Sequence, residues 1–324
     1  MMHIPVLLKE VIDVLDPKPG EFFIDGTLGA GGHAKEIIKK ISPGGIFLGI
    51  DWDEKAISNA KRESQIANRK NLILIQGNYA DTLEILSTRG GSAFGGEKNK
   101  LPKADGMLVD LGLSSDQLEE SGRGFSFQKD EPLDMRYDAR INSDFDADKR
   151  GYISVDQRNN RRISAAEVIN NFSEKDLADI FWKYGEERFS RKIADKIVET
   201  RRKKPIRTSA ELAEIVKSAF PKYRGKIHPA TRVFQALRIY VNGELDNLEK
   251  LLKNSGQIME SGGRLAIISF HSLEDRLVKN YFREMAKNGV AEILTKKPIT
   301  PTKEEINNNK RSRSAKLRAI KISF

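Results

Sequence analysis

The chain has 324 residues, 39% of them hydrophobic and 31% charged, enough for about two soluble domains, and none of its apolar runs reaches the roughly 18 residues of a membrane span. It has no cysteine and only four scattered histidines (His3, His33, His228 and His271), which excludes disulfides and thiolate chemistry and leaves no spacing for a metal site. Residues 1–10 lack the basic-then-apolar order of a secretory signal, so a cytoplasmic protein is expected, and the net charge of +10 points to an anionic partner.

In chain order, residues 6–15 form an amphipathic helix closed by Asp16-Pro17-Lys18-Pro19-Gly20. Phe22-Phe23-Ile24-Asp25 is a short apolar strand ending on an acid. Behind it, Gly26, Gly29, Gly31 and Gly32 place four glycines within seven residues, and a helix follows over 33–41. Strand, glycine loop and helix N-terminus make the ligand end of a doubly wound α/β sheet. The spacing Gly-x-x-Gly-x-Gly-Gly differs from the dinucleotide Gly-x-Gly-x-x-Gly, and a tight turn without a ligand is the plainer alternative.

The second strand, over 45–51, ends on Asp51. An acid at that point holds ribose hydroxyls in nucleotide-binding folds, and Asp53 then caps the next helix; the alternative makes Asp51 the cap. The third strand, 72–76, leads to Tyr79, placed where a ring meets a base. Residues 90–103 read as a flexible surface loop. The fourth strand, 106–110, ends on Asp110 at the point where strand order reverses and reacting groups gather.

Beyond residue 121 the α/β rhythm stops, and from 165 to 220 the pattern is helical, with capping boxes at Ser173-x-x-Asp176 and Thr208-x-x-Glu211. Residues 146–157 resemble a calcium loop, but position 5 is Arg150 and position 12 is Gln157, so 142–162 reads as a polar, flexible insertion. The α/β pattern returns with one long helix carrying Val233, Leu237, Tyr240, Val241, Leu245, Leu248 and Leu252. Next come a strand at 264–269, a helix capped by Ser272-x-x-Asp275, and strands at 291–295 and 317–322 forming a reversed edge. Positive charge is concentrated: 13 Lys/Arg against 4 Asp/Glu over 188–226, and 9 against 2 over 296–321. Two basic segments on an acidic background suggest nucleic acid, with Arg201-Arg202-Lys203-Lys204 as a phosphate grip.

Six stretches occur in this order: Asp25-Gly26-Thr27-Leu28-Gly29-Ala30-Gly31-Gly32-His33, Asp110-Leu111-Gly112-Leu113-Ser114-Ser115-Asp116-Gln117-Leu118, Arg123-Gly124-Phe125-Ser126-Phe127, Pro132-Leu133-Asp134-Met135-Arg136, His228-Pro229-Ala230-Thr231-Arg232 and Ser269-Phe270-His271-Ser272-Leu273-Glu274-Asp275-Arg276. Together they resemble the bacterial 16S ribosomal RNA cytosine-N4 methyltransferase family, over residues 4–318. The resemblance implies an α/β, Rossmann-like methyltransferase sheet with a reversed edge strand, over residues 1–121 and 229–324, and an inserted all-α domain over 122–228. It implies S-adenosylmethionine as cofactor, no metal, and 16S rRNA of the small ribosomal subunit as partner, the protein being a monomer or homodimer. By matching positions, Gly31, Gly32, His33, Asp51, Tyr79, Asp110 and Gln117 are the cofactor contacts. Gly31 and Gly32 leave room for the methionine part.

Methyl transfer to cytosine N4 needs alignment of donor and acceptor and a group to take the amine proton, because the N4 lone pair is conjugated with the ring. Asp110 stands for that role or for a cofactor contact. His271 is the second candidate acceptor, or else a helix-start residue. The polar–Pro–Pro–aromatic pattern of many amino-methyltransferases is missing after Asp110, so Phe125, Phe127, Phe270 or His271 would have to stack the base. A nicotinamide oxidoreductase fits the glycine spacing and the basic segments poorly. A non-catalytic RNA-binding factor on the same fold is the other alternative.

Overall fold

The computed structural model describes residues 5–63, 71–88, 101–113, 118, 121–137, 155–156, 161–220 and 228–323. Most of the loop at 90–103, Gln117 and nearly all of 142–162 fall outside those residues. The chain divides into two compact units, residues 1–112 with 247–324 and residues 113–246.

In the first unit the strands are β1 (Phe22–Asp25), β2 (Ile46–Asp51), β3 (Leu72–Gln76), β4 (Ala104–Asp110), β5 (Met259–Ser269), β6 (Ala291–Ile293) and β7 (Lys316–Ile322). They form one sheet in the order β3-β2-β1-β4-β5-β7-β6. The pairs from β3 to β5 are parallel, and β7 runs antiparallel to both β5 and β6. The reversal expected at the edge is therefore made by β7, with short β6 outside it.

Parallel central strands are covered on both faces, and so read as continuous apolar runs. All four residues of β1 are buried. Alternate residues feed two separate cores. Phe22, Ile24, Leu48, Ile50, Met107 and Val109 join one, and Phe23, Phe47, Leu108, Ala266 and Ile268 the other. The helices of the first half are α1 (Leu8–Leu15), α2 (Gly32–Ile41), α3 (Glu54–Arg62) and α4 (Thr82–Thr88).

The second unit holds α5 (Ala165–Asn171), α6 (Glu174–Gly185), α7 (Ser190–Arg201), α8 (Ser209–Ser218) and α9 (Thr231–Asn242), besides two-residue strands at Val155–Asp156 and Arg161–Arg162. Ser173 accepts from the Asp176 N–H, and Thr208 with Glu211 forms a reciprocal box, so two helix starts lie where the caps were expected. Leu177, Phe181, Ile193, Leu212, Val233, Phe234 and Leu237 share its core.

The compact unit is wider than the expected 122–228. The expected long helix after residue 230 is in fact two, α9 and α10 (Glu244–Ile258), divided at Gly243. Gly243 has φ +59°, the left-handed helix end that glycine adopts without penalty, so the apolar stripe read as continuous is cut there. α9 then packs with α6 in the helical core. The remaining helices of the first unit are α11 (Ser272–Lys287) and α12 (Lys303–Asn308).

Candidate active site

β1 lies between β2 and β4, so Asp25, Asp51 and Asp110 end three neighbouring parallel strands at one edge of the sheet. This is the switch point, since the chain proceeds from β1 to β2 and β3 on one side and crosses to β4 on the other. The glycine loop is pinned to both neighbours: the Gly26 N–H donates to Leu108 O and the Leu28 N–H to Ile50 O, each at 2.9 Å. Gly31 sits at φ +74° and starts α2, a conformation open to glycine and strained for most other residues.

Asp51 holds the loop from the other side. Its Oδ2 accepts from the Gly29 N–H at 2.7 Å and its Oδ1 from the Asp53 N–H at 2.8 Å. The cap of α3 is Asp53, whose side chain accepts from Lys55 N–H at 3.0 Å. The alternative of Asp51 as cap is therefore settled by geometry. The Trp52 N–H is a further donor to this carboxylate, so three of its roughly four acceptor positions are used and one is left for a hydroxyl. Burial, only partly offset by these N–H donors, lifts its carboxyl to about 6.

Asp25 is buried and accepts from the Thr27 N–H at 3.0 Å; burial, aided by repulsion from Asp51, lifts it to about 7. The Thr27 hydroxyl oxygen in turn accepts from the Asp110 N–H at 2.6 Å. This fixes the backbone at the end of β4 and leaves the Asp110 side chain to its surroundings. Among the described residues its Oδ1 is buried without a hydrogen-bond partner. Burial, then the charges of Asp25 and Glu274, hold its carboxyl well above the usual range.

His33 is buried in the first turn of α2, with Nε2 2.9 Å from Val6 O and Nδ1 3.9 Å from Asp110 Oδ2. A carbonyl only accepts, so Nε2 carries the hydrogen, and Nδ1 is the nitrogen that faces Asp110. The space that a side chain on Gly32 would fill is taken by Pro5. A Cβ there would stand 2.4 Å from Pro5 Cγ, so its missing side chain makes room for the segment before α1. Tyr79 opens a one-turn helix, Tyr79–Asp81, after β3 and is half-buried. A Cβ on Gly26 would meet Tyr79 Cβ at 3.0 Å, so the first glycine of the loop admits this residue.

His271 is the N-cap of α11. Its Nδ1 faces the Glu274 N–H at 3.4 Å, Glu274 Oε2 accepts from the His271 N–H at 3.3 Å, and Nε2 lies 3.1 Å from Glu274 Oε1. The cap is thus one residue earlier than the expected Ser272-x-x-Asp275. Asp275 instead binds Arg318 at 2.7 Å and Lys316 at 3.1 Å on β7. Nδ1 is thus engaged at the helix start, whereas Nε2, although close to Glu274 Oε1, is buried without a hydrogen-bond partner among the described residues.

Of the stacking candidates, Phe270 packs on the core around β1, and Phe125 stacks on Tyr137 in the second unit at 5.6 Å between centroids. Phe127 stacks on His228 at 4.5 Å. The basic cluster is also partly committed. The Arg201 guanidinium donates to Ile169 O and Phe172 O, each at 2.5 Å, closing the end of α5, and Lys204 pairs with Glu211 at 2.8 Å.

Sequence reasoning did not find Thr27, Glu274 or Pro5. Thr27 and Pro5 act through contacts remote in sequence; Glu274 had a local signal, an acid three residues after a cap-competent residue. S-adenosylmethionine fits this edge on two counts. Asp51 can take a ribose hydroxyl, and the Asp110 oxygen that lacks a partner among the described residues suits a cation or an N–H.

A profile of the MraW methylase family matches residues 1–323. A protein of Syntrophotalea carbinolica named ribosomal RNA small subunit methyltransferase H is 42% identical over 338 residues, spanning 98% of this chain and 97% of that one. A protein of the same name from Clostridium botulinum is 44% identical over 335 residues, 98% of each chain. Another, from Clostridioides difficile, is 42% identical over 334 residues, covering 98% and 97%. Since both the profile and these relatives run the length of a chain whose acids and glycine loop converge on one switch point, the chain belongs to the MraW methylase family.

Proposed function

We propose that the protein transfers a methyl group from S-adenosylmethionine to the N4 amine of one cytidine in 16S rRNA, acting in the cytoplasm on the small ribosomal subunit. The relatives' names supply the RNA, and the sequence resemblance supplies the N4 atom. The observation that carries the chemistry is the buried Oδ1 of Asp110 at the switch point, which has no hydrogen-bond partner among the described residues.

The cofactor supplies an electrophilic methyl group on a sulfonium. Asp51 would hold it by a ribose hydroxyl, Tyr79 by its base, and the N–H groups opening α2 by its carboxylate. On the sequence resemblance, Gln117 would be a further contact. Asp110 accepts hydrogen from the target amine and takes its proton as the N4–carbon bond forms. His271 fixes the start of α11 and thereby Glu274, so it serves Asp110 as a positioning residue. The helical unit, residues 113–246, recognises RNA through exposed Arg188, Arg191 and Lys192 on and before α7.

The test is mass mapping of 16S rRNA after small subunits are incubated with the protein and labelled cofactor. One added methyl group on N4 of one cytidine is expected. Methyl on a ring carbon or a ribose, or none, overturns the reading. Asp110→Ala should abolish transfer, and full methylation by that variant would remove Asp110 from the mechanism.

A further inference from the structure

Among the described residues, two large hydrophobic side chains are strongly exposed, and both flank one short turn: Trp182, 61% exposed, in the last turn of α6, and Phe189, 54% exposed, at the N-cap of α7. One exposed ring is ordinary on a soluble protein, but two this close in sequence mark a surface that something covers. The turn between them is fixed. Glu186 ends α6 at φ +50°, a left-handed conformation disfavoured for a residue with a side chain, and its carbonyl oxygen accepts from the Arg232 guanidinium at 3.0 Å. A Cβ on Gly185 would stand 2.5 Å from Arg232 O, so the end of α6 rests directly on the start of α9. The buried Glu187 carboxylate accepts from the Phe189 N–H at 2.9 Å, and the Phe189 ring meets Phe220 edge-on at 5.2 Å between centroids.

The charge beside the rings is positive. From 182 to 192 the exposed charged residues are Lys183, Arg188, Arg191 and Lys192 against Glu186 alone, since Glu187 is buried. The exposed acids of α6, Glu174, Asp176 and Asp179, stand nearer its start. Flat rings on a fixed backbone, set among cations, match a single nucleic-acid strand, whose phosphates meet the cations and whose base faces meet the rings. We propose, resting on the RNA reading above, that Trp182 and Phe189 stack on unpaired bases of the substrate, so that the α6–α7 turn selects single-stranded over duplex RNA. A duplex closes its base faces within its own stack and leaves the rings nothing to lie on. The choice also suits the chemistry. N4 of a paired cytosine is engaged with guanine, so the base must be unpaired before it can be methylated, and a strand already open spares the enzyme the cost of extruding it. Stacking tolerates any base, so these rings select the open state of the strand and leave the choice of cytidine to other contacts.

The chain has two tryptophans, Trp52 and Trp182, so the full-length Trp52→Phe variant reports on Trp182 alone. Its emission is titrated with three probes: a single-stranded RNA of about 12 nucleotides, the same strand paired to its complement, and an abasic strand of equal length, which keeps the phosphates and lacks the bases. The single strand should bind tightest and quench Trp182. The duplex and the abasic strand should bind at least about fivefold more weakly and leave the emission unchanged. Trp182→Ala and Phe189→Ala should each weaken binding of the single strand by about five- to a hundredfold, the loss of one base–aromatic stack, without altering the slope of log affinity against log salt. Trp182→Phe and Phe189→Tyr, which keep a flat ring, should bind close to the wild type.

Steady Trp182 emission on saturation with the single strand, with both alanine variants binding as the wild type does, overturns the inference and leaves the RNA reading standing. A wild-type dimer in sedimentation that Trp182→Ala dissociates, with RNA affinity unchanged, would also overturn it by making the rings a self-association face. Both side chains are exposed, so the alanine variants should keep the wild-type Tm, and weaker binding at that Tm is not a failure to fold. Failure of the wild type to bind any of the three probes would remove the RNA reading and this inference together. Quenching by the single strand without methyl transfer to 16S rRNA would remove the methyltransferase reading and leave the stacking surface in place.

Discussion

Asp25 and Asp51 are placed where their charge is unwelcome to the fold. Burial raises Asp25 to about 7 and Asp51 to about 6, against 3.8 for an ordinary aspartate. A folded-state value above the unfolded one means that folding favours the protonated acid. That stabilisation is complete below about pH 3.8 and is lost as pH rises through 6 and 7. Asp25→Asn keeps an oxygen for the Thr27 N–H and removes the charge. It should exceed the wild type in stability at pH 8, by at most about 4 kcal/mol for a shift of roughly three units, and match it near pH 4. Urea unfolding at the two pH values measures this, and an equal gap at both would refute the linkage. Asp51→Ala acts oppositely, because it strands the Gly29 and Asp53 N–H groups. It should cost about 1–3 kcal/mol and weaken S-adenosylmethionine binding at least about tenfold, read by calorimetry.

At the scale of elements, local signals were legible and remote ones were not. The central strands, the helix after the glycine loop, and the caps Ser173 and Thr208 could be read because their chemistry lies within a few residues. The α9–α10 stripe misled because an apolar period persists across Gly243, and one left-handed glycine ends a helix without disturbing the pattern around it. The cap of α11 was misplaced by one residue because Ser272 is the commoner capping type, whereas His271 with Glu274 occupies the position. Within the site, the three acids were visible as strand ends. The filling of Gly32 by Pro5 and the bond from Thr27 to Asp110 join residues apart in sequence and needed the fold. Arg201 shows the same limit. Read as a phosphate grip, it closes α5 through the carbonyls of Ile169 and Phe172. Arg201→Ala should lower unfolding stability by about 2 kcal/mol, seen as a lower Tm. An unchanged Tm with weakened RNA binding would return Arg201 to the phosphate role.

Across the whole molecule, the excess of positive charge is confined to short segments, and net charge alone does not say which cations meet RNA. With Arg201 and Lys204 engaged within the protein, exposed residues at the start of the same basic segment are the stronger candidates: Arg188, Arg191 and Lys192. Each phosphate neutralised on single-stranded RNA contributes about 0.7 to the slope of log affinity against log salt. Replacing all three by alanine should therefore flatten the slope by about two units and weaken RNA binding most at low salt. Cofactor affinity should stay at the wild-type value, because these residues belong to the helical unit and the acids that fit the cofactor belong to the sheet unit. Filter binding of 16S rRNA fragments between 50 and 300 mM salt, beside calorimetry with S-adenosylmethionine, separates the two effects. An unchanged slope would move the RNA contact elsewhere, with the basic stretch at 296–321 the next segment to neutralise. Loss of cofactor affinity would instead show that the three residues support the fold.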